Sequence, residues 1–421
     1  MKTITLLTSG TRGDVQPYLA LGRGLQTAGF GVVIVAPANF ADLAAQANLP
    51  FRVLDGNPSD LMMSSEGSQA LMGGSSALRT LQASLRFVRA ARPVYRRMLD
   101  SAWRACQGSD AIVIGLPSLW GVHIAEALRV PCIGGFVQPL TRTRAWPSAI
   151  FPRTHSLGAR YNLLTHRVVE QALWQPWRGT INTWRRKQLG LPAAPWRGPD
   201  LQRMPMLYGF SERIVPRPPD WPTQHRIMGY WRHPTQADWQ ASDTLLRFLK
   251  TAGPVIYFGF GSPGLPSFGQ HVQSIAQATQ TLGAWAIVSI PKGEVTPKDT
   301  PAHVLLVQEV PHDWLFPRMT AVVHHGGAGT LSAALHAGIP MLILPRAVDQ
   351  YFWAQRTLLL GIAPPPIPQR QLTQARLLEG LRSLLAHPAF SSNAQLIAEN
   401  LHQANGVQQT VEEFRKCLNH Y

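Results

Sequence analysis

Short apolar runs alternate along the chain with segments whose apolar positions recur every three or four residues. Residues 3–8 read as a strand, and residues 15–28 as a helix stopped by Gly29. Residues 32–36 form a fully apolar run, the pattern of a strand buried on both faces. Residues 76–104 carry helical spacing with a kink expected at Pro93, and 111–115 and 132–136 are further short strands. After residue 254 the rhythm restarts, with strands predicted at 254–258, 285–290, 304–307, 321–324 and 341–344. Such βαβα alternation predicts α/β architecture with parallel sheets covered by helices.

The rhythm breaks between residues 140 and 200. This stretch holds nine arginines and Lys187 against only Glu170 and Asp200, together with Trp146, Trp174, Trp177, Trp184 and Trp196. A proline-rich segment, Val215 to Pro222, continues to about Trp239 and reads as a linker. The chain of 421 residues therefore divides into two α/β blocks, each opening with a strand that runs into a glycine-bearing loop.

Charge changes the picture more than composition does. The 39 lysines and arginines against 23 acidic residues give a net charge of +16 and an isoelectric point near 10.6. Such a field attracts nucleic acid, anionic lipid or phosphorylated small molecules. The arginine–tryptophan stretch allows four readings: base stacking, a membrane surface, a pocket for a flat apolar substrate, or helix contacts with arginines reaching outward. No apolar run approaches the 20 or so residues of a membrane helix, and the first residues read as a strand rather than a signal peptide. Three scattered cysteines make neither a zinc site nor a disulfide framework, so a reducing, cytoplasmic setting is expected.

The strongest motif is His324-His325-Gly326-Gly327-Ala328-Gly329-Thr330, between an apolar strand and a helical pattern. A glycine-rich strand-to-helix turn brings backbone N–H groups close to an anion, and the helix N-terminus adds partial positive charge. Histidines can donate to phosphate oxygens; alternatively the glycines serve packing. Asp349 and Gln350 follow the next strand, where parallel sheets bind ligands, and suit vicinal hydroxyls; Asp349 could equally cap the following helix. In the first loop, Ser9 to Asp14, Asp14 is a candidate general base or the N-cap of a helix opening at Val15. Gly259 to Gly264 matches G-x-G-x-x-G, but Pro263 and Pro266 interrupt the helix start and no acidic residue follows a second strand. That weakens a dinucleotide reading and leaves Gly261 and Ser262 as phosphate contacts. There is no P-loop, G-x-S-x-G, H-E-x-x-H or Asp-x-Asp, so metal-free stabilisation of a diphosphate is expected.

Together these residues resemble a known family. Ser9 to Pro17 resembles the opening loop of the sterol glucosyltransferases and the related antibiotic glycosyltransferases. Val310 to Phe316, then Ala321 to Thr330, then Asp349-Gln350, resemble their nucleotide-sugar signature, and Pro311-His312-Asp313-Trp314-Leu315-Phe316 points to the sterol branch. The resemblance implies a GT-B fold: two Rossmann-like domains with parallel sheets facing across a cleft. The acceptor domain would span residues 1–215, the linker 216–239 and the nucleotide-sugar domain 240–404, with a helix at 405–421 returning to the first domain. It implies an inverting, metal-independent hexosyltransferase using a UDP-sugar, such as UDP-glucose, as co-substrate. Asp14 would be the base, with Thr11 and Arg12 near the diphosphate. Ser262, His324 and the turn Gly326 to Thr330 would hold phosphate, Val310 the base, and Asp349 and Gln350 the sugar. The acceptor would be a sterol or similar lipophilic alcohol, with a polyketide, terpenoid or carotenoid alcohol, or a non-catalytic sugar-nucleotide binder, as alternatives. No nucleic-acid partner is expected. Any membrane contact would be peripheral and made through the basic N-terminal surface.

Overall fold

The computed structural model describes residues 1–57, 77–151, 155–232, 239–251, 253–261, 268–291, 294, 297 and 299–419. Two compact units form. The first comprises Met1–Glu212, Pro216–His233 and Asn405–Tyr421; the second comprises Arg213–Val215 and Pro234–Ala404.

In the first unit the strands are β1 (Thr3–Leu7), β2 (Gly31–Pro37), β3 (Phe51–Leu54), β4 (Ala111–Ile114), β5 (Cys132–Phe136), β6 (Met206–Tyr208) and β7 (His225–Ile227). They form one parallel sheet in the order β3-β2-β1-β4-β5-β6-β7. The helices are α1 (Arg12–Thr27), α2 (Ala41–Gln46), α3 (Ala77–Ala105), α4 (Gly121–Leu128), α5 (Ala159–Trp174) and α6 (Arg178–Trp184). In the second unit α7 (Asp243–Thr251) precedes β8 (Val255–Gly259), α8 (Phe268–Thr281), β9 (Trp285–Ser289) and β10 (Val304–Val307). Then come α9 (His312–Leu315), β11 (Ala321–His324), α10 (Ala328–Ala337), β12 (Met341–Ile343), α11 (Gln350–Leu359), α12 (Gln374–Ala386) and α13 (Pro388–His402). Its parallel sheet runs β10-β9-β8-β11-β12. The last helix, α14 (Gly406–Asn419), belongs to the first unit.

The apolar runs form the strands because both faces of each sheet are covered. Ile4, Leu6, Ile34 and Val113 are fully buried beneath α1, and Ile256, Phe258, Val323 and Leu342 lie in the core shared with α8 and α12. Helix α14 packs directly on α1. A Cβ at Gly24 would lie 2.2 Å from Val407 Cγ1, so only glycine permits that approach. Trp231 donates from Nε1 to Thr410 Oγ1 at 2.7 Å and anchors the same helix.

Residues 216–239, expected as a linker, are not one over their first part. Pro216–His233 folds into the first unit and supplies the edge strand β7, paired with β6. Arg217 Nη2 donates to the carbonyls of Trp221 and Pro222, both at 2.8 Å, and fixes the proline-rich turn. Trp221 is buried against Tyr208, with ring centroids 5.0 Å apart. No described helix is long and apolar enough to cross a membrane.

Candidate functional site

Both sheets reverse strand order at one place, and parallel α/β sheets bind ligands beyond the strand ends there. In the first unit this switch lies between β1 and β4, and in the second between β8 and β11. Thr11, Arg12 and Asp14 follow β1, and Gly261 and His324 to Thr330 follow or end β8 and β11, at these two points; Val310 follows β10, and Asp349 and Gln350 follow β12.

After β1 the chain enters α1 through Ser9 to Thr11. The helix starts at Arg12, so Thr11 is the N-cap and Asp14 sits at the third helical position, not at the cap. Pro17 consequently lies beyond the first turn. Asp14 Oδ2 accepts from Thr11 N at 2.8 Å and from Thr11 Oγ1 at 2.9 Å, a reciprocal cap that also orients the carboxylate. Thr8 Oγ1 donates to the Asp14 carbonyl at 2.8 Å. Asp14 is half-buried and borders a small open pocket with Thr8, Tyr18, Gly115, Pro117 and Gln138. Tyr18 donates to the Gly135 carbonyl, and burial, with Asp14 nearby, pushes its phenol well above the usual range. It is therefore a neutral hydrogen-bonding wall of the pocket. Arg12 is exposed and donates from Nε to Gln16 Oε1 at 3.3 Å.

In the second unit His324 ends β11 and is fully buried. Its Nδ1 accepts from Gly326 N at 3.1 Å, so in the neutral ring the proton sits on Nε2. Nε2 is buried and has no protein partner among the described residues. Burial above all, with His325 and His312 close by, holds the His324 pKa well below its ordinary value. His324 is thus an uncharged donor with a fixed tautomer and an unmet hydrogen bond. Beside it, α10 opens at Gly327, and its first N–H groups lack intrahelical partners by construction. His325, expected as a second phosphate donor, has a packing place that the sequence did not reveal. Cβ atoms at Gly261 and Gly327 would lie 2.8 and 2.4 Å from its ring. The glycines therefore make room for this ring as well as opening the turn. Burial lowers the His325 pKa to about 4.

The remaining predicted residues gather around this turn. Gly326, at φ +89°, lies so close to Gln350 that a Cβ would be 3.2 Å from its carbonyl oxygen. Gln350 Oε1 accepts from Arg346 N at 2.7 Å and Ala347 N at 3.2 Å, so half of its amide closes the loop after β12. Asp349 precedes α11 at the N-cap position but makes no side-chain cap. Instead the buried carboxylate accepts from Trp353 Nε1 at 2.9 Å. Val348 just before it has φ +55°, a costly conformation for a β-branched residue. Val310 leads into α9, where the His312 ring stacks on Phe316 with centroids 4.4 Å apart, and His312 Nε2 meets Tyr257 Oη at 3.2 Å. Gly329 is exposed and Thr330 half-buried in the first turn of α10. Ser262 lies outside the described residues. Trp353 was missed from the sequence, although Asp349 and Trp353 are one helical turn apart. Among the described residues no group of three His, Cys, Asp or Glu side chains could hold a metal ion.

The arginine–tryptophan stretch is mainly packing. Trp174 and Trp184 are buried, and Trp177 stacks on Tyr95 at 4.2 Å. Arg185, also buried, makes a two-pronged pair with Glu126 and reaches His123 Nδ1 at 2.8 Å. Arg142 clamps Glu170 at 2.7 and 2.8 Å.

Residues 4–147 match the glycosyltransferase family 28 N-terminal domain, and residues 273–414 match the erythromycin biosynthesis protein CIII-like C-terminal domain. A sterol 3-beta-glucosyltransferase of Debaryomyces hansenii is 35% identical over 425 residues, covering 97% of this chain and 26% of that protein. The chain thus spans about a quarter of that relative's length. The calicheamicin glycosyltransferase CalG4 has the same fold, with a TM-score of 0.71 at 16% identity over 99% of this chain and 98% of its own. So does the Streptomyces sp. SF2575 glycosyltransferase SsfS6 complexed with thymidine diphosphate, with a TM-score of 0.63 at 19% identity over 99% and 100%. The chain thus carries, in that order, a region matching the family 28 N-terminal domain and a region matching the EryCIII-like C-terminal domain, in the fold of these glycosyltransferases.

Proposed function

We propose that this chain is an inverting, metal-independent transferase that moves glucose from UDP-glucose to the hydroxyl of a sterol or similarly lipophilic alcohol met at a membrane surface. The observation that carries the reading is the buried Nε2–H of His324, without a partner among the described residues and beside the opening of α10. A diphosphate there would receive that hydrogen bond, the backbone N–H groups of the turn and the helix's partial charge. A neutral donor set of this kind stabilises the charge gathering on departing UDP without a metal. The sterol acceptor takes its support from the fungal relatives' name and from the extent of the match.

In this mechanism the acceptor oxygen attacks the anomeric carbon from the face opposite UDP. The C1–O bond to UDP breaks as the new glycosidic bond forms, which inverts the centre. The acceptor's proton passes to Asp14, whose carboxylate Thr11 holds toward the pocket. Asp349, oriented by Trp353, and the Gln350 amide position the sugar hydroxyls. An acceptor panel of sterol, polyketide, terpenoid and carotenoid alcohols tests the reading, with UDP release as the signal. Sterol-dependent release is expected. Release with another class alone would reassign the acceptor, and UDP binding without release would make the chain a sugar-nucleotide binder.

A further inference from the structure

Helix α3 places its arginines on one side. At about 100° per residue, Arg86, Arg89, Arg92, Arg96, Arg97 and Leu85 fall within an arc of about 140°. All six are exposed, whereas Ala91, Met98 and Ala102 on the other side are buried. Arg104 continues the stripe and pairs with Asp55 at 3.3 Å. Among the described residues the other five arginines make no ion pair. Asp100 is the one carboxylate on the helix.

Helix α5 carries the complementary feature. Arg160, Leu164, Arg167 and Val168 share an arc of about 100°. Leu164 is 57% and Val168 46% exposed, and Leu157, just before the helix, is 74% exposed. The buried positions Asn162, Thr165 and His166 point the other way. The two helices are joined within the unit, because Tyr95 of α3 stacks on Trp177, three residues beyond α5. Exposed leucine and valine interleaved with arginine is the pattern of a surface lying in a headgroup region.

We propose that the first unit docks on anionic lipid bilayers through the arginine stripe of α3 and the arginine–leucine face of α5. Unpaired arginines complement acidic headgroups, while Leu157, Leu164 and Val168 enter the boundary between headgroups and acyl chains. Single-stranded nucleic acid would need open aromatic platforms. Trp174 and Trp184 are instead in the core, and Arg178 covers one face of exposed Trp196 at 3.7 Å. The docking deepens the proposed function, since a lipophilic alcohol resides in the bilayer, but its test does not depend on catalysis.

The test is co-sedimentation of the whole chain with phosphatidylcholine vesicles, with and without phosphatidylglycerol, at roughly 0.15 M salt. Binding is expected only with phosphatidylglycerol and should weaken as salt rises. Replacing Arg86, Arg89 and Arg96 with Gln should weaken it on the order of a hundred-fold, from about five-fold per arginine. Leu164→Ser with Val168→Ser should weaken it separately without restoring binding to neutral vesicles. Equal binding to both vesicles, binding to neither, or binding indifferent to both variants would overturn the proposal. So would capture of single-stranded RNA in place of vesicles. UDP release with a detergent-dispersed acceptor, measured in parallel, separates failure to dock from failure of the transferase reading.

Discussion

Replacing His324 with Asn separates its two ring nitrogens. Asn can place its side-chain oxygen where Nδ1 stands and keep the hydrogen bond from Gly326 N, now 3.1 Å. It cannot reach where Nε2 points. The lost donor is fully buried and aimed at what is proposed to be a charged oxygen, and a hydrogen bond to a charged group contributes about 1.5–3 kcal/mol. At 1.4 kcal/mol per decade, UDP affinity should fall about 10- to 150-fold. The unliganded protein should behave differently. Removing an unpaired buried donor relieves about 1–3 kcal/mol, and the smaller side chain gives back a similar amount as lost packing. Thermal stability without ligand should therefore change little. Calorimetric titration with UDP and with uridine provides the assay, because only UDP carries the phosphates. A variant that binds UDP within two-fold of the wild type, or loses uridine affinity equally, would refute the placement of phosphate at Nε2.

Further expectations rest on neighbouring contacts. Gly327→Ala puts a methyl group 2.4 Å from His325 Nε2 and should cost about 1–3 kcal/mol in urea unfolding; adding His325→Ala should recover most of it, and no recovery would mean that the ring is not the obstacle. Trp353→Phe removes the donor to Asp349 and should weaken UDP-glucose binding about ten-fold while sparing UDP; equal losses for both would mark a structural effect. His166 and His225 are buried, and desolvation lowers both pKa values to about 4. The unfolded chain therefore takes up their protons first, and stability should fall as pH drops below 6.5, levelling near 4. The pair together should cost on the order of 4 kcal/mol by pH 5; denaturant midpoints that stay flat from pH 7 to 5 would contradict this.

Strands buried on both faces were legible because their burial demands continuous apolar residues. The predicted runs at 132–136 and 321–324 coincide with β5 and β11, every residue of which is buried. Strands β3 and β7 were not legible. Each is an edge strand paired on one side only, and Phe51-Arg52-Val53-Leu54 and His225-Arg226-Ile227 carry polar residues that solvent tolerates. Proline density suggested a linker where Arg217 and buried Trp221 in fact build a packed turn. The candidate site was legible as motifs but not as bonds. Thr11-x-x-Asp14 holds the spacing of a reciprocal cap, which displaces Asp14 from the cap position. The seat of His325 between two glycines depends on chain segments more than 60 residues apart, Gly261 and Gly327, and no local pattern encodes it.

The central claim is transfer from UDP-glucose to a sterol with Asp14 as base. UDP release should be measured with and without cholesterol, in the wild type and in Asp14→Asn. The account predicts cholesterol-dependent release that falls 10²-fold or more in the variant, with UDP affinity little changed. Undiminished turnover in Asp14→Asn, or no release with cholesterol from a protein that binds UDP, would contradict it.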